Sequence, residues 1–137
     1  MKYLVLLGRF FYSLIFISSL PHLFSSQSAG YAAAAGVPMA SILVPFSGII
    51  AFLGGASILL GYKAKAGAWL IILFLVPVTL MMHNFWTITD PMARQMQQTN
   101  FVKNLALVGC ALMLSWFGAG PCSIDSLLAS RRKTALI

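Results

Sequence analysis

Acidic side chains are nearly missing from this sequence: Asp90 and Asp125 stand against nine Lys and Arg, and charged residues make up 8% of 137 positions. A soluble domain carries about 25% charged and about 45–50% apolar residues. A chain that is 60% apolar cannot cover a water-facing surface, so the bilayer is its solvent. This scarcity excludes a soluble enzyme and a nucleic-acid-binding domain. The surplus cations fall in gaps between apolar segments, where they report membrane orientation and not a phosphate partner. Cysteine is scarce too. Along a helix Cys110 and Cys122 would lie roughly 18 Å apart, beyond the Cα limit of ~7 Å for a disulfide. With no CxxC, the sequence supports neither a thioredoxin-like centre nor a metal knuckle.

What is present is four long apolar stretches, over residues 3–24, 37–61, 66–86 and 101–117. Each approaches the ~20 residues that a membrane-spanning helix needs. They are continuous, not alternating, which rejects the ten-residue strands of a membrane barrel. The first could be read as a secretory leader, but it is longer than an h-region and Arg9 interrupts it. The Gly61–Lys65 segment is short enough for a tight helix hairpin, with Gly61 suited to a C-cap, and Pro121 stops the fourth span. The expected fold is therefore all-α: a polytopic, four-transmembrane-helix antiparallel bundle forming one domain over 1–137, with a basic tail at 126–137. Pro45 and Pro77 lie inside spans and predict kinks. Ser47, Ala51 and Gly55 recur every four residues as a small-residue stripe for close packing.

Lys2, Arg9, Lys63, Lys65, Arg131, Arg132 and Lys133 fall on one side of such a bundle, and only Arg94 and Lys103 on the other. By the positive-inside rule both termini face the cytoplasm. The connections over Pro21–Gly36 and Asn84–Asn100 then face outward. Trp69, Trp86 and Trp116 fall near span ends, as an aromatic belt requires.

Polar groups near hydrocarbon are costly and are functional candidates by default. On the cation-rich side these are Arg9 and Asp125, a candidate structural ion pair. On the other side the candidate ligand-binding residues are His22, His83, Asn84, Trp86, Lys103 and Asn104, with Asp90 nearby. Helix direction brings His22, His83 and Lys103–Asn104 to one membrane depth. His exchanges protons near neutral pH, and Lys103 offers a cation to an anion, a phenolate or a quinone oxygen. Two His and two acids make no evident metal cage, so no metal site and no catalytic residue are assigned.

Leu7-Gly8-Arg9, Leu53-Gly54-Gly55, Leu60-Gly61-Tyr62-Lys63-Ala64-Lys65, His83-Asn84-Phe85-Trp86, Lys103 through Gly109, and Gly118 through Gly120 with Ser123-Ile124-Asp125 together resemble the DoxX family of small four-helix bacterial membrane proteins. The resemblance covers nearly the whole chain. It implies a multi-pass protein of the bacterial inner membrane associated with redox systems. Many members have Glu where this chain has Ala51 and Arg where it has Lys65, which removes the intramembrane partner that Arg9 would have.

Two functions compete. The first is an accessory subunit of a membrane redox system that binds a quinone-like or other small apolar ligand near the outer face, at most a subunit of a quinone-linked oxidoreductase. No cofactor is encoded, and a quinone is one group such a site could take. The alternative is a non-enzymatic scaffold or assembly factor that binds a protein partner. A homodimer through a small-residue face fits either reading, and solute transport lacks a polar path at the midplane.

Overall fold

A bilayer offers no water to a peptide group, so each apolar run must satisfy its backbone within itself, as helix. The computed structural model describes residues 2–135. Among these it forms seven α-helices and no strand: α1 (Lys2–Ser18), α2 (Leu20–Leu23), α3 (Ser26–Ala34), α4 (Ala40–Leu60), α5 (Ala64–Met82), α6 (Pro91–Phe117) and α7 (Ile124–Thr134). Four segments are long and apolar enough to cross a membrane: Lys2–Leu23, Ala40–Leu60, Ala64–Thr87 and Pro91–Phe117. The chain is an all-helical, multi-pass membrane protein in contact with lipid.

The Arg9 guanidinium reaches the Cys122 carbonyl, and the Asp125 amide reaches the Gly61 carbonyl at 2.8 Å. The start of α1, the α4–α5 turn and the α6–α7 loop therefore share one end, as the expected antiparallel order requires. Helix α4 lies between α1 and α5, and α5 between α4 and α6. Tyr12 returns from α1 to α6, its hydroxyl donating to the Leu107 carbonyl at 2.8 Å. The core between them holds Phe16, Ala51, Ile58, Ala68, Ile71, Leu75 and Ala111.

Small residues set the closest approaches. A Cβ on Gly54 would stand 2.9 Å from the Gly67 carbonyl oxygen, and one on Gly55 would stand 3.0 Å from the Phe16 Cβ. Of the expected stripe, Ala51 and Gly55 are buried, whereas Ser47 is half-buried and donates to the Val44 carbonyl. Helices α4 and α5 run unbroken through Pro45 and Pro77. Gly61 ends α4 in the left-handed conformation (φ 65), which a residue with a Cβ rarely adopts.

Two expected connections are largely helical. Pro21 has no N–H to offer, so α1 stops at Ser18 and a short helix resumes at Leu20, followed by α3. Ser25 caps α3 by accepting from the Ser28 amide at 3.2 Å. Helix α6 starts at Pro91 and not near Phe101, because Asp90 caps it through the Ala93 amide at 2.7 Å and Pro91 fits the first turn. Its 27 residues run about 40 Å, longer than the ~30 Å hydrocarbon layer. The polar stretch 91–100 is exposed or half-buried except at Gln97. The basic tail is mostly α7, which Ser123 and Ser126 open with a capping box. Leu136 and Ile137, at the end of the expected 126–137 tail, lie outside the described residues.

Candidate ligand site

At the end away from the cation-rich turn, α2 and α3 fold back beside α4 and α5 and leave a cavity of about 550 Å³. Its walls are apolar: Leu23 and Ala32 on one side, Val44 and Phe46 from α4, and Phe74, Pro77, Val78 and Met82 from α5. Polar atoms come from Gln27, Ser28 and Tyr31, with Ser47 deeper along α4. The volume lies within the ~300–1,000 Å³ of small-molecule sites, and so does the pattern of apolar walls with a few polar groups.

Tyr31 connects this cavity to the inside of the bundle. The Gln97 side-chain Nε2 donates to the Tyr31 hydroxyl at 3.0 Å, and its Oε1 accepts from His83 Nδ1 at 2.7 Å. Gln97 is only 9% exposed, so its amide is held in place. A tyrosine hydroxyl that accepts from Gln97 still has its own proton to donate, and it lines the cavity. The arrangement sets a Gln97-bonded tyrosine, itself half exposed, beside Gln27 and Ser28 in the wall of a mostly apolar chamber.

The six residues expected to bind ligand do not converge. His83 reaches the cavity only through Gln97 and Tyr31. His22 is exposed, and its backbone carbonyl accepts from Ser25 and Ser28 at 2.7 Å. Asn84 opens the turn Phe85–Thr87, its carbonyl accepting from Thr87 at 2.9 Å. Trp86 packs edge-on against Phe85 and Phe101. Lys103 is exposed and donates to Asn100 at 3.2 Å, while Asn104 is 7% exposed. Successive helix residues point about 100° apart, so Lys103 and Asn104 cannot both face inward. Tyr31 and Gln97, absent from the expected site, make the connection. In the structure 97, 104 and 111 are the buried positions of α6 and recur every seven residues, which marks one helix face.

At the cation-rich end, the expected ion pair is replaced by two contacts to backbone. Asp125 accepts from the Lys63 and Ala64 amides at 2.9 and 3.1 Å, capping α5 from another helix. Arg9, 2% exposed, donates through Nη2 to the Cys122 carbonyl, while its Nε and Nη1 make no hydrogen bond. Asp125 makes no hydrogen bond to Arg9; its two oxygens accept from the α5 amides instead. Among the described residues no group of three or more His, Cys, Asp or Glu could hold a metal ion.

Fold and site together define a four-span membrane bundle with a chamber at one end. A family model for the SURF4 family matches residues 1–130, and the chain belongs to that family. This overturns the DoxX resemblance, and the acid expected in place of Ala51 loses its basis with it. No curated protein and no solved structure matches the chain.

Proposed function

We propose that this protein binds a small amphiphile within the bilayer, its apolar body in the 550 Å³ cavity and an acceptor oxygen on the Tyr31 hydroxyl. The observation that carries this reading is a mostly apolar chamber of ligand size with Tyr31, held by Gln97, and Gln27 in its wall. An ester, a hydroxyl or a ring carbonyl would accept equally well, so a quinone is one member of the class. Handing electrons to a quinone pool would further require a redox partner. Orientation with both termini in the cytoplasm rests on the seven-to-two distribution of cations. Exposed Cys122 tests it: an impermeant maleimide should label intact cells only after permeabilisation.

The binding test is extraction in mild detergent followed by mass spectrometry of the organic extract. Wild type should retain a near-stoichiometric small amphiphile, Ser47→Trp should lose it by filling the chamber, and Tyr31→Phe should hold it more weakly. Equal retention in wild type and Ser47→Trp would sink the reading. An empty wild-type cavity with a stoichiometric co-purifying protein would put the scaffold in its place.

A further inference from the structure

The cation-rich end holds a second recess, independent of the amphiphile chamber. It is a shallow cavity of about 580 Å³ between the first turn of α5 and the loop leading to α7, lined by Lys63, Lys65, Gly118, Gly120, Ser126 and Asp125. Both oxygens of Asp125 are held by the Lys63 and Ala64 amides, so this acid already balances the α5 N-terminus. The two lysines are exposed. Their ammonium groups lack a carboxylate partner among the described residues.

The loop is shaped around one of them. Gly118 and Gly120 hold positive φ (77 and 67), and a Cβ on Gly118 would stand 3.4 Å from Lys65 Cε. The Lys65 stem thus lies along bare backbone at the edge of the recess. The Ser126 hydroxyl is occupied by the Ser123 carbonyl at 2.7 Å, which leaves the lysines as the charged donors. Phe117 lines the same recess and is 75% exposed, and neighbouring Trp116 is 76% exposed. Both stand at the end of a membrane span, where lipid headgroups meet acyl chains.

We propose that this recess binds the phosphate headgroup of an anionic phospholipid, with Lys63 and Lys65 on the phosphate and Phe117 and Trp116 against the start of its acyl chains. A free phosphate would share the lysines but gain nothing from the aromatic flank. Arg131, Arg132 and Lys133, in the last turn of α7, add a diffuse positive field at the same end.

Native mass spectrometry of the full chain in detergent, with phosphatidylglycerol and phosphatidylcholine offered in equal amounts, tests this. Wild type should retain the anionic lipid preferentially, and Lys63→Gln with Lys65→Gln should lower that preference by about fivefold per lysine while leaving phosphatidylcholine unchanged. These side chains are exposed, so the variant should keep the wild-type melting temperature. An undiminished preference in the double variant would overturn the proposal. So would a preference abolished by neutralising Arg131, Arg132 and Lys133 alone. Displacement of the lipid by millimolar inorganic phosphate would assign the recess to a free anion instead.

Discussion

The two ends of the bundle are held together by different kinds of bond. At the cation-rich end every long-range polar contact named above touches backbone: Asp125 N on Gly61 O, the Asp125 carboxylate on two α5 amides, and Arg9 on Cys122 O. At the histidine end the link runs through side chains alone, from His83 to Gln97 to Tyr31. Backbone groups move only when a helix moves, whereas side chains change rotamer without disturbing the helices that carry them. The first end is built as a fixed clasp. The second is held by side chains, which can change rotamer while the spans stay in place.

Four substitutions would sharpen or break that contrast. The largest effect should come from Gly61→Val, which forces a branched residue into φ 65 and drives its Cβ into Arg9 and Ser123. Strain and overpacking together should cost about 3 kcal/mol or more, read as a collapse of the melting temperature in detergent; a wild-type melt would disprove the clasp. Asp125→Ala removes the cap on α5 and should cost about 1–2 kcal/mol in the same measurement. Gln97→Leu should cost only about 1 kcal/mol yet weaken retention of the amphiphile, by no more than Tyr31→Phe does. Unchanged ligand content in that variant would refute the relay. Lys103→Ala should change stability by less than about 0.5 kcal/mol and leave ligand content untouched, because Lys103 reaches only Asn100 at the surface.

The spans were legible because hydrocarbon demands long uninterrupted apolar runs. Expected 37–61 and 66–86 became Ala40–Leu60 and Ala64–Met82. The fourth span was cut short because 91–100 is polar, although Asp90-Pro91 is a cap followed by a first-turn proline and could have moved its start. The site was harder to read. His83 stood out as a lone polar residue at a span end, but Tyr31 and Gln97 fell in stretches taken for connections. The small-residue motifs misled for a physical reason. Gly54 faces a neighbouring backbone and Gly61 turns the chain with positive φ, and any closely packed four-span bundle needs glycine at such places. They report packing and do not distinguish one family from another.

Arg9 has a consequence for biogenesis. The acceptor it meets, the Cys122 carbonyl, lies 113 residues further along the chain. At about 5–20 residues per second the first span must wait on the order of 6–20 s after its own synthesis before that carbonyl exists. Until then its guanidinium has to stay in contact with water, the headgroup layer or the insertion machinery. A nascent chain stopped before the α6–α7 loop would keep its first helix unsealed. Final closure of the bundle is thereby tied to the arrival of the α6–α7 loop.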